Sequence, residues 1–181
     1  MIGQGRRMFE GWDSFYLLVG GGAGALIGTM FVVATLTAGL QASRLSRGSQ
    51  IYITPVVFHF GVVLVVSVLT AVPHLTADTL ALILAAGAAL GLYYAVLTTI
   101  RLFKLDWSEY APDLSDRFFY GVAPILIYLA LAFAAWSVSF WPEEAPYVIG
   151  WVALTLLAMG IRNAWDLAIA LVQRQRDANS K

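Results

Sequence analysis

The chain has 181 residues with 11 Lys and Arg against 11 Asp and Glu, so its formal net charge is zero; 60% of it is hydrophobic and 12% charged. A soluble domain is about 25% charged, so this deficit, with a mean hydropathy of +0.76, argues against a water-solvated fold, and the zero charge gives no overall field for nucleic acid. There is no cysteine, which removes disulfides, thiolate nucleophiles, iron–sulfur clusters and cysteine-based zinc sites together.

Five apolar runs, at 15–39, 55–72, 80–100, 118–141 and 147–172, fill most of the length. A hydrocarbon core about 30 Å thick needs roughly 20 apolar residues in a helix rising about 1.5 Å per residue, and each run meets or nearly meets that length. The expected fold is an all-α, polytopic membrane bundle of five transmembrane helices forming a single domain.

Arg6-Arg7-Met8-Phe9 superficially resembles a twin-arginine export signal. However, Glu10 and Asp13 intervene before the apolar run, and the run is longer than the roughly 7–15 residues of a cleavable signal core. Retention as span one is the better reading. Within that span Gly20, Gly24 and Gly28 recur every fourth residue, a spacing that lets helix backbones approach closely in lipid. Packing within one bundle and an interface between subunits are both open to such a face.

Thr54-Pro55 reads as a cap followed by proline at the first helical position of span two, and Pro73 closes it. His59 lies one turn inside, while His74 falls on the next loop. A single histidine on an apolar helix is most often hydrogen-bonded to a neighbour, but it can also titrate near neutrality. The two histidines lie on opposite sides of the membrane, so no paired haem ligation within the chain is expected, and neither cofactor nor metal is indicated.

Asp78 or Thr79 can cap span three, in which Gly87 and Gly91 repeat the small-residue spacing; span four carries Ala130 and Ala134. Between them, 102–117 alternates Leu102, Phe103, Leu105, Trp107 and Tyr110 with Lys104, Asp106 and Glu109 until Pro112, as an interfacial amphipathic segment would. Its carboxylates Asp106, Glu109, Asp113 and Asp116 could hold magnesium, but Arg101, Lys104 and Arg117 stand ready to neutralise them.

Pro142 and Pro146 bracket the turn into span five. That span holds the only charges deep in an apolar run, Arg162 and Asp166, with Asn163 beside them. Four residues apart, the two ions share one helix face and can pair. A lone charge at mid-membrane costs about 2.5–3.5 kcal/mol on insertion scales, so such groups mark either an ion path, a relay or a pocket. The competing reading is anchorage, with Arg162 snorkelling to the headgroups because span five is longer than the bilayer requires. His59, Arg162, Asn163 and Asp166, with Thr35, Thr37, Thr98 and Thr99 near the same depth, form a candidate polar cluster.

Basic residues decide the threading. Arg44, Arg47, Arg101, Lys104, Arg117, Arg174, Arg176 and Lys181 fall on one side of a five-span arrangement, against Arg6 and Arg7 on the other. The expectation is an external N-terminus and a cytoplasmic C-terminus, in a bacterial inner (plasma) membrane. Aromatics at Trp12, Phe15, Tyr52, Trp141, Tyr147 and Trp151 sit near the expected interfaces.

No phosphate-binding glycine loop, nucleophile elbow or metalloprotease helix is present. Two functions remain in contention: an oligomeric, channel-like transport protein for ions or small solutes, and a non-catalytic accessory subunit of a larger membrane complex. A third, an intramembrane enzyme using Asp166 and His59, lacks any accompanying nucleophile or metal-ligand spacing. Expected partners are the bilayer, further copies of the chain and another membrane protein, with no nucleic acid.

Overall fold

A tight turn leads into the first helix. Gly11 takes φ +83, the left-handed region that a side chain disfavours, while the Trp12 amide donates to the Phe9 carbonyl at 3.0 Å. The computed structural model describes residues 8–38, 48–104, 115 and 117–179. Five α-helices follow in order: α1 (Asp13–Ala38), α2 (Gly48–Ala71), α3 (Ala77–Lys104), α4 (Ala123–Phe140) and α5 (Ala145–Asn179), with a π-helical segment, Arg117–Val122, running directly into α4. No strand occurs among the described residues.

Local chemistry accounts for the boundaries, with two corrections to the sequence reading. The cap of α3 is Thr76 rather than Asp78 or Thr79: its hydroxyl accepts from the Thr79 amide at 3.2 Å and meets the Thr79 hydroxyl at 2.8 Å, satisfying donors that a helix start leaves orphaned. Pro55 does not open α2 but lies inside it. There it withholds an amide from the Ile51 carbonyl, four residues back, and crowds it, as a proline within a helix does. At the α4–α5 turn Pro142 follows Trp141, whose carbonyl accepts from Glu144 at 3.1 Å and Ala145 at 3.0 Å. Pro146 then occupies the first turn of α5, where its missing N–H needs no partner.

The helices pack as two pairs about α5. α1 lies along α2, α3 along α4, and α5 is wedged against α2, α4 and the inner side of α1. α2 and α3, although consecutive, touch only lightly. One end is fixed by aromatic packing: Trp12 meets Tyr147 edge-on at 4.7 Å, and the Tyr16 hydroxyl donates to the Pro146 carbonyl at 2.8 Å. At the other end the Thr99 hydroxyl on α3 donates to the Gly121 carbonyl at 3.2 Å.

Among the described residues, four helices are long and apolar enough to cross a membrane: Asp13–Thr35, Ala77–Phe103, Arg117–Phe140 and Ala145–Ile169; the apolar stretch Pro55–Ala71 is shorter. The surface agrees with the lengths. Leu17, Leu82 and Trp151 are each at least 70% exposed, and exposed Phe31, Val68, Leu129 and Trp165 extend the same character around the bundle. Soluble monomers seldom present apolar patches beyond a few hundred Å². A surface apolar on every side matches hydrocarbon as its solvent.

Candidate functional site

The π-helical segment is the local irregularity on which Arg162, Asn163 and Thr99 converge. Pro124 explains it. A π-helix bonds each carbonyl to the amide five residues on, and Pro124 has no amide for Phe119, five positions before it. In α geometry the same proline would strand Tyr120 and clash with that carbonyl. Wider winding over Arg117–Val122 removes the clash, and a side chain from a neighbouring helix supplies the missing donor. Asn163 Nδ2 donates to the Phe119 carbonyl at 3.5 Å; the Thr99 hydroxyl, shared between the Ala95 carbonyl at 2.8 Å and the Gly121 carbonyl at 3.2 Å, packs on the same segment.

Asn163 is fully buried. Its backbone carbonyl also accepts from the Tyr120 hydroxyl at 2.9 Å, so α5 and the π segment are pinned by reciprocal bonds. Arg162, one residue earlier, points roughly 100° around the helix and makes a different set of contacts. Its guanidinium lies 3.6 Å over the Phe119 ring, donates to Ser115 Oγ at 2.9 Å and to Asn163 Oδ1 at 3.2 Å, and pairs with Asp166 at 3.1 Å. The Arg162 and Asp166 side chains are 30% and 39% exposed. Arg162 stands about 26 Å along α5 from Ala145, which puts this knot toward the far side of a 30 Å core.

His59 belongs to a second knot. It is buried on α2, and its Nδ1 lies 2.8 Å from the Tyr128 hydroxyl on α4, a bridge across the bundle between helices that otherwise hardly meet. Tyr128 reaches that far because its ring lies flat on α3 at Gly91, where any Cβ would overlap the ring. Phe58 packs beside Tyr128 at 6.1 Å and against Tyr94 at 4.9 Å. His59 Nε2 is buried with no hydrogen-bond partner.

The four candidate polar residues are therefore divided rather than joined. Arg162, Asn163 and Asp166 cluster with the π segment, and His59 bonds Tyr128 instead. Of the threonines, Thr99 joins the first knot, Thr98 is buried, and Thr35 is exposed with its hydroxyl bonded back to Phe31. The side chain of Thr37 and the carboxylates Asp106, Glu109, Asp113 and Asp116 lie outside the described residues, as do Leu105, Trp107, Tyr110 and Pro112 of the amphipathic segment.

The glycines divide as well. Gly20 receives Ser67 of α2, whose Cβ would stand 2.7 Å from an added methyl, and Gly91 receives Tyr128, whereas Gly24, Gly28 and Gly87 have nothing within 4 Å. Steps of four residues advance about 40° beyond a full turn, so the row Gly20, Gly24, Gly28 winds from the α2 contact out to the exposed face. Two unforeseen glycines complete the packing: Gly160 accommodates the Phe60 ring, and Gly150 accommodates Phe15 and Trp12. Tyr120, Tyr128 and Pro124 were likewise not singled out; a proline seven residues into an apolar span was the available signal.

No protein-family model, curated protein or solved structure matches the chain.

Proposed function

We propose that the chain is a five-span integral protein of a bacterial-type inner membrane, with its N-terminus outside and its C-terminus in the cytoplasm, acting as a non-catalytic subunit that associates through α1. The threading rests on the eight basic residues that the sequence assigns to one side of a five-span arrangement, with Pro55–Ala71 and the helix before it making the fifth span. The observation that carries the association is the outer face of α1. Gly21, Ala25, Gly28 and Thr29 are exposed in one column, and nothing lies within 4 Å of a Cβ at Gly21 or Gly28. Such a column allows the close backbone approach that drives helix pairing in lipid, while the opposite side of α1 is taken by α2 and α5.

The absence of cysteine makes a direct test available, because every introduced thiol is the only one. Gly21→Cys and Gly28→Cys should form oxidative crosslinks in native membranes, either to a second copy or to a partner of different mass, whereas Leu126→Cys on exposed α4 should not. Monomers throughout would remove the association. Ser180→Cys should resist an impermeant maleimide in intact cells and Glu143→Cys should react; the reverse pattern would invert the threading.

A second reading, channel-like transport of protons, ions or small solutes, is favoured by the unpartnered Nε2 of His59 deep in the bundle. Because His59 and Asn163 are buried within one protomer, such a route would run through the protomer rather than between copies. Reconstituted chain that passes no protons, common ions or small solutes would retire it.

A further inference from the structure

α2 and α3 leave a groove of about 330 Å³ between them, lined by Phe58, Val62, Val65, Leu69, Ile83 and Leu90 among other apolar residues. Two glycines create it. Gly61 on α2 and Gly87 on α3 both line the space, and neither has an atom within 4 Å of where a Cβ would stand. We infer that this groove binds one acyl chain of a membrane phospholipid.

The dimensions select the occupant. The groove follows α2 for eleven residue steps from Phe58 to Leu69, about 16 Å, and α3 for seven from Ile83 to Leu90, about 10 Å, a depth comparable with the roughly 15 Å that one leaflet contributes to a 30 Å hydrocarbon core. α2 and α3 touch and are bridged by the Phe58 and Tyr94 rings, whereas a helix with its side chains is about 10–12 Å across, so neither a second copy nor a partner's span fits between the walls. A single extended hydrocarbon chain does. At the Phe58 end its ring packs on Tyr94, with centroids 4.9 Å apart, joining the two walls there. Val65 and Leu90 line the groove and are exposed, so a chain enters sideways from the bilayer. The inference requires membrane integration but not association through α1.

Native mass spectrometry of the chain ejected from vesicles of phosphatidylethanolamine and phosphatidylglycerol tests it. Wild type and Ala132→Leu, which enlarges an exposed α4 position, should each carry one phospholipid. Gly61→Leu and Gly87→Leu, which place a side chain in open groove space, should retain it about tenfold less. Equal retention by the glycine variants would overturn the inference, as would wild type carrying no lipid, or holding a free fatty acid, isoprenoid or ring lipid in preference. Should the leucine variants fail to fold, photolabelling of wild type with a phospholipid bearing a diazirine on its acyl chain decides. Label concentrated on Val62, Leu69 and Ile83 supports the site, and label spread evenly over Leu17, Leu82 and Leu129 rejects it.

Discussion

Pro124 on α4 and Asn163 on α5 are complementary: the proline withholds the amide that the Phe119 carbonyl would use, and the asparagine side chain stands 3.5 Å away to replace it. Irregular backbone at membrane depth is tolerated only where protein takes up the freed groups. The π segment is thus a consequence of one residue type, made affordable by another on a different helix.

That dependence should appear as coupling. Asn163→Ala removes the donor of a part-buried, long hydrogen bond, costing about 0.5–1.5 kcal/mol. In a Pro124→Ala background, the restored amide at position 124 can take the same acceptor, and Asn163→Ala should then cost less than half as much. A double-mutant cycle followed by unfolding in mixed micelles measures this; additive effects would show that the two residues act separately.

Glycine-to-alanine replacements should change sign with position. At Gly22 nothing lies within 4 Å of the new methyl, so the helix gains up to about 1 kcal/mol of intrinsic propensity. At Gly91 the methyl overlaps the Tyr128 ring, and at Gly160 it meets Phe60. Overpacking of this kind costs about 1–3 kcal/mol, so both variants should be destabilised. Thermal aggregation midpoints in detergent give the ranking, and a Gly91→Ala protein more stable than wild type would contradict the Tyr128 placement.

Helix number and approximate limits were legible because length in an apolar run translates directly into rise. Pairing was not, since faces apolar all round leave no stripe to aim inward. The pair Arg162 and Asp166 could be read from four-residue spacing alone, and it forms. Joining His59 to that pair failed because equal depth says nothing about azimuth: His59 points to Tyr128, which becomes reachable only through the flat surface at Gly91. The drift of Gly20, Gly24 and Gly28 around α1 has the same origin, a four-residue step that overshoots a turn.

Arg162 should resist conservative exchange. Lysine keeps the charge but loses the planar face on Phe119 and the forked donors that reach Ser115, Asn163 and Asp166 together. Arg162→Lys should therefore recover less than half of the stability lost in Arg162→Ala. Asp166→Asn should cost under about 1 kcal/mol, because both partners are about a third exposed and solvent screens the pair. Chemical unfolding of the three variants separates these cases; full rescue by lysine would reduce the site to a simple charge.

Tyr128→Phe isolates the bridge across the bundle. The ring still fills the space at Gly91, but His59 Nδ1 loses its partner and both ring nitrogens become unpaired. Hydrogen bonds between membrane helices average about 0.6 kcal/mol and reach about 1.7. The upper part of that range is expected here, because the histidine is buried in a packed interior with no alternative acceptor or donor at Nε2. His59→Leu should remove most of the sensitivity, so that Tyr128→Phe becomes nearly silent in that background. If Tyr128→Phe costs the same with and without the imidazole, the hydroxyl serves another neighbour and His59 does not bridge α2 to α4.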